Sequence, residues 1–367
     1  MAGAGVVVVK VGTSSITDEA GAIDRGAIEE LCREVAAVRA DGVRVVVVTS
    51  GAIAAGMPSL GLARRPSDLA TLQAIAAVGQ SRLMRTYDDV LGELGMIGGQ
   101  VLLAPLDFVH RQQYLHARQT LMRLLELGVV PVVNENDAVA DDEIRFGDND
   151  RLAALVAHLV GASTLVLLTD TPGMFDRDPR LHADASLIEE IVEVDAELER
   201  LAGGRGSDRG SGGMASKLAA AKIAAWSGVR AVIAGAGRAG VLRDAVADVP
   251  GVGTVVRPHD RRLPARKLWI AFAVGASGVV VVDEGARRAL VEGGRSLLPA
   301  GVVRVEGSFE AEAAVEISSV DGGVFAKGLV RVSSARVAEW AGRRTADLPP
   351  DVPHEVVHRD DLVVLPS

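Results

Sequence analysis

The sequence predicts an α/β protein, with a mostly parallel sheet covered by helices on both faces and then a small, mostly β unit. Three observations carry this. Continuous β-branched runs such as Val6 to Val11 and Val43 to Val48 lack polar alternation, the mark of strands buried on both faces of a parallel sheet. These runs alternate with stretches of helical spacing as far as Val256, which implies βαβ units. Beyond a linker at Arg257 to Lys267 (RPHDRRLPARK) the pattern changes to short apolar runs separated by glycine turns, as in a small barrel.

Taken in order, Val6 to Val11 is the first strand, with Lys10 near its end and Gly12-Thr13-Ser14-Ser15 as the turn. Ala27 to Arg39 has helical spacing and stops at Asp41-Gly42. Val43 to Val48 is the second strand. The small-residue turn Thr49 to Gly56 follows it and opens a helix whose free N–H groups suit an anion. Residues 68 to 94 read as one or two helices, Ile97 to Leu103 as a strand, Tyr114 to Leu127 as a helix and Val129 to Val133 as a strand. A helix begins at about Leu152, and Ser163 to Leu168 is a strand ending in Thr169-Asp170-Thr171-Pro172-Gly173. A helix from about Met214 to Ser227 and strands Val229 to Ala234 and Gly253 to Val256 complete this part. The tail contributes β-like runs at Gly278 to Val282, Val302 to Glu306, Ala314 to Ile317 and Val324 to Val332, with short helices near Ala286 and Ala335. The division expected is therefore 1–258 and 268–367.

Composition narrows the function. With 49% hydrophobic and 24% charged residues in 367, the chain has material for a sizeable core. A net charge of -9 argues against bulk, non-specific binding of nucleic acid. The single cysteine, Cys32, rules out an internal disulfide and fits a reducing cytoplasm. No secretory pattern opens the chain. The most membrane-like window, Leu152 to Leu168, is broken at Gly161-Ala162-Ser163 and falls short of the roughly 20 continuous apolar residues a span needs. The expectation is a soluble, cytoplasmic protein with no membrane partner.

The chemistry concentrates in Pro131 to Ala157. An apolar run enters a loop crowded with Asn134, Glu135, Asn136, Asp137, Asp148, Asn149 and Asp150 before the next helix. Asx residues cap helices and hold turns, but two blocks, NEND and GDND, exceed what capping needs. Ligands of open α/β sheets bind at the carboxyl ends of strands, and carboxylates and amides there suit a small ligand carrying an ammonium group and carboxylates. Lysine is scarce beside arginine, which draws attention to Lys10 and Lys217, each beside a glycine turn. On residues alone, Lys10 is either a functional cation or a plain strand end. Likewise GSDRGSGGMASK, residues 206 to 217, is either a phosphate loop or a surface loop; its glycines and the helix starting near Met214 would aim backbone N–H groups at an anion. Gly235, Gly237 and Gly240 form a GxGxxG without any hydride-transfer constellation, and the seven histidines show no metal-ligand spacing.

In order along the chain, VVVKVGTSS, VVVVTSGAIAAGM, AAVGQSRLM, VVPVVNENDAV, FGDNDRLAALVA, LLTDTPGMFDRDPR and GSGGMASKLAAA resemble the amino-acid-kinase family, and within it the branch that phosphorylates glutamate. The tail, with VVDEGARRAL, SLLPAGVVRVEGSF and VHRDDLV, resembles a PUA domain. The resemblance implies an αβα sandwich around a mostly parallel sheet, and ATP-dependent phosphorylation of the glutamate γ-carboxylate as the first step of proline synthesis. It implies that Lys10 and the loop Ser211, Gly212, Gly213, Met214, Ala215, Ser216 and Lys217 contact ATP phosphates, with Thr169 and Asp170 also at the nucleotide. Ser50, Asp137 and Asn149 would hold L-glutamate, Asp137 at its α-ammonium and Asn149 with the backbone near Ser50 at its α-carboxylate. Asp150 would orient the two lysines. Mg²⁺ would bridge the phosphates, held mainly by phosphate oxygens and water, with no protein metal ligand. Proline as a feedback inhibitor and a homo-oligomer are further implications. Alternatives are a kinase for aspartate or N-acetylglutamate, or an RNA-binding protein acting through the tail. Glu310-Ala311-Glu312 adds negative charge to that tail and weakens the nucleic-acid alternative.

Overall fold

A computed structural model describes residues 5–365 apart from 19, 109, 140–148, 204–212, 260–261 and 350–352. Two compact units are present, Met1–Arg262 and Leu263–Ser367.

The strands of the first unit are β1 (Val6–Lys10), β2 (Arg44–Val48), β3 (Gly98–Leu103), β4 (Val130–Glu135), β5 (Thr164–Thr169), β6 (Glu190–Ile191), β7 (Arg230–Gly235) and β8 (Thr254–Val256). The helices are α1 (Arg25–Ala40), α2 (Ala52–Gly56), α3 (Leu69–Glu93), α4 (Arg111–Glu126), α5 (Asn149–Val160), α6 (Ala196–Ala202), α7 (Met214–Trp226) and α8 (Val241–Val246). The strands form one sheet in the order β3-β4-β2-β1-β5-β7-β8-β6, and every pair is parallel except β7 with β8. An α/β protein with a mostly parallel sheet is what the sequence predicts. Strands β1, β4 and β5 are buried along their whole length, as apolar runs without alternation require. Each fully buried valine of β1 stabilises the sheet by roughly 1.5–3 kcal/mol.

Register brings the strand ends level. Lys10 pairs with Val48 of β2 and Leu167 of β5, and Val48 pairs with Val133 of β4. Lys10, Thr49, Asn134 and Thr169 therefore emerge at one edge of the sheet. After β4 the chain passes through α5 to β5, crossing from one side of β1 to the other. That reversal opens a crevice at the carboxyl end of β1, and α5 begins over it.

Capping and glycine geometry set the surrounding helices. Asp24 caps α1 by accepting from Gly26 N and Ala27 N, and Asp68 caps α3 by accepting from Thr71 N. Residues 69–93 form one unbroken helix, which buries Leu72, Ile75, Leu83, Tyr87, Val90 and Leu91. The short α2 crosses it in near-backbone contact. A Cβ on Gly79 would lie 1.8 Å from Ala52 O, and one on Gly56 would lie 2.2 Å from Ile75 O. Gly51, before α2, has φ +99, where a side chain would be strained.

The second unit contains α9 (Ala265–Leu268), β9 (Gly278–Val282), α10 (Glu284–Val291), β10 (Val302–Gly307), β11 (Ala314–Ser319), β12 (Val324–Val330), α11 (Ser334–Trp340) and β13 (Val357–Val364). The five strands run in the order β10-β9-β11-β12-β13, antiparallel except for β9 with β11. Leu297, just ahead of β10, makes a bridge to Val357 of β13, tying the two ends of the sheet together around a core that includes Val280, Val315, Ile317 and Val337. Strand β13 is absent from the sequence reading. Its middle, His358-Arg359-Asp360-Asp361, carries no alternation, and it lies at the end of the strand order, where β12 is its neighbouring strand. Among the described residues no helix is long and apolar enough to cross a membrane.

Candidate active site

Three charged side chains meet where β1, α5 and α7 converge. The Lys10 ammonium forms a buried ion pair with Asp150 Oδ1, and Lys217 Nζ lies 3.3 Å from Asp150 Oδ2. Exposures of 2% for Lys10, 0% for Asp150 and 5% for Lys217 place all three out of bulk water. Ser216 Oγ donates to Asp150 Oδ2 at 2.8 Å. Burial alone would push the Asp150 carboxyl up. The ammonium groups of Lys10 and Lys217, with the Lys10 and Ser216 hydrogen bonds, instead hold it below the usual carboxylate range. One carboxylate thus positions two cations that arrive from a strand end and from the first turn of a helix.

Beside this cluster a cavity of about 620 Å³ is lined by Thr13, Ser50, Gly51, Asn134, Asp137 and Asn149, among others. Its floor is an amide network. Asn149 Nδ2 donates to Thr49 O, to Ser50 Oγ at 3.0 Å and to Asn134 Oδ1 at 2.6 Å. Asn134 Oδ1 also accepts from Glu135 N at 2.9 Å, while Asn134 Nδ2 donates to Gln80 Oε1 at 2.8 Å. Thr49 Oγ1 and the Tyr87 hydroxyl hydrogen-bond at 2.9 Å, and burial pushes the Tyr87 phenol up, which keeps it neutral. On the other side of β1, Thr169 Oγ1 donates to Asp170 Oδ1 at 3.1 Å at the end of β5.

The placement of the candidates follows from this. Lys10, Asp150, Ser216 and Lys217 form the charged cluster, and Ser50, Asp137 and Asn149 line the cavity. Gly213 is the residue before α7, and Met214 and Ala215 are its first two residues. Ser211 and Gly212 lie outside the described residues. Among those described, no three His, Cys, Asp or Glu side chains form a cluster able to hold a metal ion.

The GxGxxG segment is already filled. The Glu34 carboxylate of α1 accepts from Gly240 N at 2.6 Å and from Leu242 N at 3.1 Å, at the helix start where a pyrophosphate would sit in a dinucleotide site.

Comparison with known proteins agrees with this geometry. Residues 5–235 match the amino acid kinase family, and residues 278–349 match the PUA domain. The chain belongs to the amino acid kinase family. It is 45% identical over 363 residues to a glutamate 5-kinase of Pelobacter propionicus, spanning 98% of this chain and 97% of that protein. It is 47% identical over 359 residues to a glutamate 5-kinase of Mycobacterium tuberculosis, covering 98% and 94% respectively. A glutamate 5-kinase of Mycolicibacterium vanbaalenii is 46% identical over 359 residues, covering 98% and 96%.

Two members of the amide network, Gln80 and Asn134, are missing from the residues predicted to bind ligand. Asn134 stands out in the sequence as part of NEND, but it is a buried strand residue rather than a loop residue, and it both lines the cavity and hydrogen-bonds Asn149. Gln80 sits inside the AAVGQSRLM segment, a polar residue on the apolar stripe of α3, and that misplaced polarity is the signal that could have found it.

Proposed function

We infer that this chain transfers the γ-phosphoryl group of ATP to the γ-carboxylate of L-glutamate, the first step of proline biosynthesis. The observation that carries the reading is the Lys10–Asp150–Lys217 cluster beside a polar cavity at the carboxyl edge of the sheet. The near-full-length identity to glutamate 5-kinases selects the acceptor.

A glutamate γ-carboxylate of pKa about 4.3 is already ionised at neutral pH, so the nucleophile needs no general base. The difficulty is electrostatic: an anion must approach an anionic phosphoryl group. Lys10 and Lys217 supply positive charge at the transferring group. Asp150 keeps the two ammonium groups apart and aimed, at the cost of a desolvated carboxylate that both of them compensate. The N-terminus of α7 from Gly213 adds backbone N–H groups toward the ATP phosphates, with Thr169 and Asp170 beside them. In the cavity, Asp137 suits the α-ammonium, and the Ser50 hydroxyl with the first N–H groups of α2 suits the α-carboxylate.

The phosphate end combines the ammonium groups of Lys10 and Lys217 with the carboxylates of Asp150 and Asp170. With Asp150 engaged by both lysines, this donor set fits Mg²⁺ held mainly by ATP oxygens and water, where the ion would neutralise phosphate charge. Inhibition by proline, whose amine and carboxylate repeat the substrate's α-groups, and a homo-oligomeric assembly belong to the same reading.

The test is turnover of ATP with glutamate, aspartate and N-acetylglutamate in parallel, trapping the acyl phosphate with hydroxylamine. Hydroxamate from glutamate well above the other two is the expected result. None from glutamate would overturn the reading.

A further inference from the structure

We propose that Asn149 turns its carbonyl oxygen, not its NH₂ group, toward the substrate's α-ammonium, and that Gln80 is the positioning residue that holds Asn134, and through it Asn149, in the orientation that the backbone dictates. The proposal rests on the glutamate-kinase reading and replaces the sequence-level assignment of Asn149 to the α-carboxylate.

Side-chain amides are ambiguous until a group of known polarity meets them, and here two backbone groups do so. Thr49 O can only accept, so the Asn149 atom facing it is Nδ2. Glu135 N can only donate, so the Asn134 atom facing it is Oδ1. Both ends therefore agree on the contact between them, Asn149 Nδ2 to Asn134 Oδ1 at 2.6 Å. The two hydrogens of Asn149 Nδ2 are shared among Thr49 O, Asn134 Oδ1 and Ser50 Oγ, which leaves Oδ1 as the remaining polar atom of this cavity-lining side chain.

With Oδ1 so engaged, Asn134 must offer Nδ2 on its other side, and Gln80 Oε1 accepts it at 2.8 Å. Gln80 is 8% exposed, and in this orientation its buried Nε2 has no hydrogen-bond partner among the described residues. A side chain that leaves its own donor unsatisfied in order to present an acceptor has its polarity imposed by the network. Chemically, the cavity then meets the α-ammonium with Asn149 Oδ1 and the Asp137 carboxylate, in a lining that also includes Glu135 and Asp18. The donors fall to the α-carboxylate, because Ser50 Oγ accepts from Asn149 and keeps its own proton to give.

Two truncated analogues separate the alternatives. Glutarate is glutamate without the α-ammonium, and 4-aminobutyrate is glutamate without the α-carboxylate. The full-length Gln80→Leu protein removes the acceptor for Asn134. Loss of one buried hydrogen bond's worth of orientation corresponds to about a tenfold change. KM for glutamate and the inhibition constant of 4-aminobutyrate should each rise about tenfold. The inhibition constant of glutarate and KM for ATP should change less than about twofold. Gln80→Glu, which offers an acceptor oxygen whether or not it is protonated, should restore the wild-type pattern. If Gln80→Leu is insoluble, Gln80→Met carries the same test. Equal weakening of both analogues would reduce Gln80 to a structural residue. Selective weakening of glutarate would mean that Asn149 reads the carboxylate. Either result overturns the proposal, whereas a wild-type protein unable to phosphorylate glutamate would overturn the functional reading beneath it.

Discussion

Asp150, in the first turn of α5, and Lys217, in the first turn of α7, face each other with Nζ 3.3 Å from Oδ2, although 67 residues separate them. Two helix N-termini are thereby directed at one point, and a lysine there adds its charge to both dipoles. Such an arrangement is unfavourable for an isolated cation. It becomes favourable when an acidic residue, or an anionic phosphoryl group, occupies the space between. The Asp150 carboxylate therefore stabilises the fold and positions the cations of the site.

Replacing Lys217 by alanine should lower kcat by about 10²-fold or more while changing the glutamate KM little, because the contact strengthens as the phosphoryl group moves. Steady-state kinetics varying glutamate and ATP separately measure this split. An unchanged kcat would mark Lys217 as a structural partner of Asp150 alone.

Asp150→Asn tests the carboxylate through pH. The folded-state pKa of Asp150 is lowered from 3.8, so its ionic contribution to stability is complete above that value and is lost as pH falls through the lower, folded value. At neutral pH the variant leaves two buried ammonium groups without their counter-charge, a loss on the order of 3–5 kcal/mol. The stability gap between wild type and variant should narrow as pH drops below about 3.8. Thermal unfolding of both proteins from about pH 7 to about pH 3 follows the gap, and a constant gap would remove the electrostatic explanation.

Much of this was legible in the sequence, for definite reasons. The apolar runs that became β1, β2, β4 and β5 are buried on both faces, so burial wrote itself into composition, and the polar residues at their ends marked the edge where ligands bind. Other features depend on distant partners and left no local trace. Strand β13 is specified by its pairing with β12, not by its own charged centre. The two-residue β6 exists through pairing with β8. The Glu34 carboxylate that occupies the GxGxxG turn comes from 206 residues away, so the motif could not reveal that its anion site is taken. The role of Gln80 needs the neighbouring strand to be in place before its polarity has meaning.

Gly79→Ala probes how α2 is held over the cavity. The added methyl would lie 1.8 Å from the backbone oxygen of Ala52, and backbone cannot swing aside as a side chain can. Overpacking of this kind costs about 3 kcal/mol. Relief requires α2 to move, and Ser50 and Gly51 at its start line the cavity. The expected outcome is a lowered Tm together with a raised glutamate KM, while the ATP KM stays near wild type. A lowered Tm with unchanged glutamate KM would show that α2 absorbs the strain without shifting its N-terminal end.

A chain ending at Arg262 should fold and phosphorylate glutamate. The first compact unit ends at that residue, and its sheet, its buried cluster from Val7 to Val252 and every residue assigned to chemistry lie within it. The second unit has a separate core built from its own strands, including Val280, Val315, Ile317 and Val357. Each is large enough to bury an independent core, which is the physical condition for separate folding. The opposing view is that the tail completes the active site. Circular dichroism and thermal unfolding of the truncated protein establish folding, and hydroxamate formation from glutamate and ATP establishes activity. A kcat within about threefold of the full chain is expected, since no transition-state contact has been removed. A truncated protein that unfolds cooperatively but yields no hydroxamate would show that residues after Arg262 take part in the reaction.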